Sequence, residues 1–251
     1  MVVQKSRVLH HLHDDVHLWA MADVVVLSLG GSLVATPSPN IDYVHQIADM
    51  LAELHKQNIH VHVVVGGGAI ARQYIGALRA TSRGLSEQEL NDRCDLAGIW
   101  GTRMNASLLQ CALGDLANPT IPTETESQSV KPNLLTVMGG THPGQTTDAV
   151  CVKLARAIGC KKVINATNVP GVYAKNPKEF PGLPMLEKIT HDDLISIVGT
   201  HHSPGINTVI DPVAAGILKE ENITCFVLDG SNLDNMKQCL LGETFIGTTI
   251  G

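Results

Sequence analysis

Aromatic residues are scarce in this chain, at 3% of 251 residues, and its formal charge of −6 comes without any run of lysine or arginine. Few stacking platforms and no basic stripe together exclude nucleic-acid binding through a charged face. No apolar run approaches the ~20 residues that a membrane-spanning helix needs. Lys5 and Arg7 open the chain, but histidines and Asp14-Asp15 break up the apolar stretch a secretory signal requires. The six cysteines (94, 111, 151, 160, 225 and 239) form no C-x-x-C pair. They read as buried, reduced thiols rather than a disulfide framework, and the expected location is the cytoplasm. Two nucleotide signatures are missing as well. There is no G-x-x-x-x-G-K-[ST] loop, and Ala71 stands where a dinucleotide fingerprint would continue Gly66-Gly67-Gly68 with glycine.

What the chain does have is three glycine-rich turns, each after a strand-like run. They are Val24–Leu29 into Gly30-Gly31-Ser32, Val61–Val65 into Gly66-Gly67-Gly68, and Leu134–Met138 into Gly139-Gly140-Thr141-His142-Pro143-Gly144-Gln145-Thr146-Thr147-Asp148. Glycine lets backbone N–H groups converge without interference from Cβ, and a helix starting there adds the positive end of its dipole. One such turn holds a phosphate; three suit two polyanions facing each other. Singly, Gly30-Gly31-Ser32 also reads as a plain tight turn. The third turn is the specific one, because its threonine hydroxyls stand beside helix N-terminal amides.

With 44% hydrophobic and 17% charged residues, the composition fits a compact globular protein. From residue 23 onward, strand and helix patterns alternate. Strands are expected at 23–29, 59–65, 133–138, 163–166, 223–228 and 244–250. Helices are expected at 41–57 behind an Asn40 cap, from the second glycine turn, from the Ser86–Glu89 capping box to Leu113, and at 147–158. Further helices start at Thr190 and at Asp211-Pro212, and the last spans 233–241. Residues 170–189 hold four prolines and read as a loop or hairpin. The pattern predicts an α/β fold, a three-layer α/β/α sandwich with a mainly parallel central sheet, its ligands beyond the carboxyl ends of the strands. Residues 1–22 read as an appendage. Leu9, Leu12, Val16 and Trp19 there recur at helical spacing, and His10, His11, His13 and His17 read as a polar face rather than metal ligands.

The ordered motifs carry a resemblance. Leu29-Gly30-Gly31-Ser32, Val63 to Gly68, Met138 to Ala149, Thr167-Asn168-Val169-x-Gly171-Val172-Tyr173 and Val209-Ile210-Asp211-Pro212-x-Ala214-Ala215 closely resemble the amino acid kinase superfamily. Within it, the uridylate (UMP) kinases of the archaeal type are the most similar branch. The resemblance covers residues 23–251 and implies one domain, with an acceptor part at about 23–160 and an ATP part at about 161–251. It implies transfer of a phosphoryl group from ATP, accompanied by Mg²⁺, to UMP, and a homo-oligomer assembled as a hexamer from three dimers. Carried over by motif, Gly31 and Ser32 meet ATP, Gly68 and Arg72 lie on its phosphate side, and Thr167, Asn168, Tyr173 and Asn176 form its nucleoside pocket. Gly67, Asp95 and the run Thr141, His142, Pro143, Gly144, Gln145, Thr146 and Thr147 meet UMP, and Asp148 stands at the reacting centre.

The residues themselves are compatible with that chemistry, since phosphoryl transfer needs positioning and charge neutralisation more than acid–base help. Arg72 and Asp148 are therefore the expected catalytic pair. Asp95 sits among apolar neighbours in a helix, so it is expected to need a partner: a ribose, or a salt bridge to Arg93 or Arg103. Two departures stand out. Ser28 occupies the position where many superfamily members carry lysine, leaving Arg72, Lys175 and Lys178 as candidate replacements. Pro170 interrupts a motif that usually reads Asn-Val-Asp-Gly. The alternatives are a kinase of this fold with another small acceptor, and a non-catalytic nucleotide or oxyanion binder.

Overall fold

The structure, a computed structural model, describes residues 23–126, 130–131, 133–175, 177, 179–180, 182–199 and 209–251. The readings made on residues 1–22, Asn176 and Lys178 lie outside the described residues. In chain order the elements are β1 (Asp23–Leu29), α1 (Gly31–Val34), α2 (Ile41–Lys56), β2 (Ile59–Val65), α3 (Gly68–Thr81), α4 (Glu87–Leu113) and β3 (Val137–Met138). They continue with α5 (Thr147–Ala157), β4 (Lys162–Thr167), β5 (Val172–Tyr173), β6 (Met185–Leu186), β7 (Lys188–Ile189), α6 (His191–Val198), α7 (Pro212–Glu220), β8 (Thr224–Asp229), α8 (Leu233–Leu240) and β9 (Thr248–Ile250).

Seven strands form one sheet in the order β3-β2-β1-β4-β8-β9-β7, parallel throughout except where β9 runs against β8. β1 is central, with Leu27 beside Val63 of β2 and Ile164 of β4. Its alternate residues feed two cores. Val25, Leu27 and Leu29 pack with Val44, Ile47, Leu51 and Leu54 of α2 and Leu109 of α4. Val26 packs on the other face with Val150 and Leu154 of α5 and Leu218 of α7. Burial on both faces is why the strand reads as an apolar run broken only by Ser28 after Asp23.

Local signals set the helix starts. Asn40 caps α2 through Tyr43 N–H, Ser86 and Glu89 close a reciprocal capping box on α4, Thr190 and Asp193 do the same for α6, and Asp211 caps α7 ahead of Pro212. Gly159 follows α5 at φ +69°, the left-handed conformation expected there. Three expectations need correction. The strand expected at 133–138 is regular only over Val137–Met138; before it, Thr136 O still accepts from Val63 N–H, and Leu135 forms a parallel bridge with Ala117. Thr136 N–H donates to His62 Nδ1, and Asn118 bonds both the N–H and the C=O of Val137. The strand expected at 244–250 is confined to Thr248–Ile250, since Asn235 of α8 holds the N–H and C=O of Ile246. The proline-rich stretch does contain a hairpin, β5 against β6, but also supplies β7 to the main sheet.

Candidate functional site

Because β1, β2, β3, β4 and β8 run parallel, their carboxyl ends meet along one edge. The first two glycine turns touch backbone to backbone there. A Cβ on Gly31 would lie 2.2 Å from the Gly68 nitrogen, and one on Gly68, at φ +60°, would lie 2.3 Å from the Gly31 oxygen. No other residue type fits that approach. The third turn is pressed on α4 instead, where a Cβ on Gly139 would meet Thr102 Oγ1 at 2.5 Å. Thr102 and Gly98 of the same helix also border Gly67. One helix thus spans the second and third turns.

Between them lies a cavity of about 300 Å³. Gly67, Gly68 and Arg72 line one wall, Asp95, Gly98 and Thr102 of α4 a second, and Gly140, His142, Gln145, Thr146 and Thr147 a third. Arg72 is exposed, one turn into α3. The third turn is tied at several points. Thr141 Oγ1 donates to Gln145 Oε1 at 3.2 Å, His142 Nε2 lies 3.3 Å from Glu124, and Thr146 caps α5 by accepting from Ala149 N–H. Asp95 behaves differently from expectation. It is exposed rather than enclosed by apolar neighbours, since Cys94 and Ala97 turn inward while its own side chain faces the cleft. Its Oδ2 accepts from Gly144 N–H at 2.7 Å, and no ion pair with Arg93 or Arg103 forms among the described residues.

Asp148, in the first turn of α5, reaches back to the central strand. Ser28 Oγ donates to its Oδ1 at 2.9 Å, which is what the serine does at the position where many superfamily members carry lysine. Burial pushes this carboxyl up from 3.8 to about 6; the Asp211 carboxylate adds to the shift, while the Ser28 hydroxyl and the Asp211 N–H oppose it. A carboxylate held there with so little compensation is a natural partner for a cation.

Other expected residues lie along the same edge but outside the lining of that cavity. Gly31 is buried beneath the second turn, with Ser32 beside it in α1. Thr167 and Asn168 end and follow β4, where Gly30 N–H bonds Ala166 O and Gly230 N–H bonds Thr167 O. Tyr173 is half-buried in β5, Pro143 and Gly144 form the exposed tip of the third turn, and Lys175 sits 5.1 Å over the Phe180 ring. Three further residues bear on the site; sequence reasoning did not single out Thr102 or Asn105, and named Arg103 only as a possible partner of Asp95. Arg103 donates from Nε to Gly140 O and from Nη2 to Thr141 O, Asn105 Nδ2 bonds Gly66 O and Gly67 O, and Thr102 Oγ1 accepts from Gly140 N–H.

The chain is similar to known proteins. The model of the amino acid kinase family matches residues 23–229. Uridylate kinases of Methanoculleus marisnigri and Methanococcoides burtonii are 37% and 38% identical over 90% and 88% of this chain, and 94% and 92% of their own. The crystal structure of uridylate kinase from Archaeoglobus fulgidus superposes with a TM-score of 0.78 at 37% identity, covering 90% of this chain and 99% of that one. A UMP kinase structure from Bacillus anthracis, 20% identical with a TM-score of 0.72, shares the fold.

Proposed function

Since the chain belongs to the amino acid kinase family, we propose that it transfers the γ-phosphoryl group of ATP directly to UMP, giving UDP for pyrimidine nucleotide synthesis. The observation that carries this reading is the convergence of the second and third glycine turns on one cavity, with the first turn packed directly beneath. Two phosphate tails need backbone cradles that face each other across a few ångströms. In-line transfer then requires alignment and charge neutralisation without a covalent enzyme intermediate.

In this reading the third turn, Thr141 to Thr147, holds the UMP phosphate on its hydroxyls and on the N-terminal amides of α5, with Gly67 opposite. Asp95 exchanges the Gly144 N–H for ribose hydroxyls. Gly31, Ser32, Gly68 and Arg72 meet the ATP phosphates, and Thr167, Asn168, Tyr173 and Asn176 hold its nucleoside. The part at about 23–160 thus serves the acceptor while lending Gly31, Ser32, Gly68 and Arg72 to the ATP phosphates, and the part at about 161–251 holds the rest of ATP. Arg72 supplies a planar, permanently charged fork for the oxygens that gain charge. Asp148 and Ser28 offer hard oxygen donors that fit Mg²⁺ arriving with ATP, which would screen the phosphate charge.

No helix among the described residues is long and apolar enough to cross a membrane, and we place the enzyme in the cytoplasm. We also read it as a homo-oligomer, a hexamer built from three dimers. Leu96, Trp100 and Met104 recur every fourth residue on α4, with Trp100 61% exposed, and Tyr74 of α3 is 65% exposed. Such a stripe suits burial against a second copy. Trp100→Glu is expected to lower the mass measured by light scattering, and an unchanged mass removes this face from the assembly.

A coupled assay with ATP and Mg²⁺ against UMP, CMP, acetylglutamate, carbamate and isopentenyl phosphate tests the main reading. Turnover with UMP is expected. Turnover only with another acceptor reassigns the substrate, and nucleotide binding without transfer to any of them makes the protein a binder.

A further inference from the structure

We propose that the middle of α4 is a positioning clamp, in which Thr102, Arg103 and Asn105 fix the second and third glycine turns relative to each other. The proposal rests on the phosphoryl-transfer reading above and adds residues to it. Asn105 is fully buried, and its Nδ2 donates to two successive carbonyls of the second turn, Gly66 O at 2.8 Å and Gly67 O at 3.1 Å. Arg103 does the corresponding thing to the third turn, its fork spanning Gly140 O at 3.0 Å and Thr141 O at 3.1 Å. Thr102 Oγ1 accepts from Gly140 N–H at 2.6 Å while donating to Ile99 O at 2.6 Å. Both polar groups of the Gly140 peptide backbone are therefore claimed by adjacent residues of one helix.

The physical consequence concerns peptide orientation. Glycine peptides rotate at low cost, and a carbonyl turned into the cavity would confront a phosphate with negative charge. Carbonyls committed to Arg103 and Asn105 cannot turn that way. The three side chains cover an arc of roughly 160° on a helix that advances about 100° per residue, so the two turns lie around one rigid rod. The spacing between the cradles is thereby set by α4 rather than by the loops. Asp95, two turns earlier, adds its bond to Gly144 on the same side.

The clamp makes separable claims, because Arg103 touches only the third turn and Asn105 only the second among the bonds described. Arg103→Ala is expected to raise the KM for UMP on the order of tenfold, with the KM for ATP and the melting temperature little changed. Arg103→Lys, which keeps charge and donors but not the fork, is expected to recover part of the loss. Backbone amide exchange should quicken at 139–146 and stay unchanged at 66–68 in the alanine variant. Thr102→Val gives a second probe of the third turn should the arginine variant fold poorly. The wild type is assayed first, so that the two readings fail separately. If it acts on another acceptor, the KM split is read on that acceptor; if it transfers nothing, amide exchange alone decides. Equal changes in both KM values, or exchange at 139–146 identical to wild type, overturn the clamp.

Discussion

Replacing Asp148 by asparagine should make the ligand-free protein more stable and the enzyme far slower, and both effects come from one carboxyl group. Its pKa is pushed from 3.8 to about 6, chiefly by burial. At about 1.4 kcal/mol per pK unit, keeping it ionised above pH 7 costs the folded state roughly 3 kcal/mol. The α5 N-terminus favours a negative charge by about 0.3–1 kcal/mol and so trims what asparagine recovers, while the Ser28 bond already enters the shifted pKa. A net gain of about 2 kcal/mol remains, worth roughly 4–8 °C in melting temperature for a domain of this size. The pH dependence has a definite sign. A raised folded pKa means that the folded state holds its proton more tightly, so this stabilising contribution is complete below about pH 3.8 and lost as pH rises through 6. The variant should therefore match wild type near pH 4, pull ahead between pH 4 and 6, and keep a constant lead above pH 7. Thermal melts across pH 4–8 measure this. The coupled assay should show turnover at least tenfold lower, and the wild-type kcat/KM should fall on the acid side with a midpoint near pH 6. A pH-independent difference in stability refutes the electrostatic reasoning, and near-normal turnover removes Asp148 from the reacting centre.

Arg72→Ala should lower kcat/KM by about 100-fold, the scale for losing one donor to developing oxyanion charge, while leaving thermal stability intact because the side chain is exposed; steady-state kinetics beside a melt decide it, and a loss under threefold means that another cation serves the phosphates. Gly68→Ala should abolish nucleotide binding and lower the melting temperature by several degrees, since its Cβ would sit 2.3 Å from the Gly31 oxygen at φ +60°. Gly144→Ala, with nothing within 4 Å and φ +77°, should cost only the left-handed strain of about 1–2 kcal/mol. Calorimetry on the pair separates crowding from strain, and equal losses would mean that the first two turns are not packed as described.

The parts of the molecule legible in its sequence are those with local causes. β1 and β2 announce themselves through valine runs because both faces are covered, and Ser86 with Glu89, Thr190 with Asp193 and Asp211 with Pro212 mark helix starts within four residues. Where the reading slipped, a distant side chain had intervened. His62 takes the Thr136 N–H of the strand expected at 133–138, Asn118 takes the N–H and C=O of Val137, and Asn235 takes those of Ile246. Asp95 was misjudged for a related reason: apolar neighbours along the chain say little about which side of a helix a residue occupies. The same distinction governs the site. Glycine and threonine runs reveal that cradles exist, because a cradle is built from consecutive residues. Their mutual alignment depends on Thr102, Arg103 and Asn105, whose partners lie 37 to 39 residues away. In sequence these are ordinary polar residues inside a helix. Their role emerges only when three separate glycine backbones converge on one face of the sheet edge, so the chemistry of such a kinase is written locally and its geometry is not.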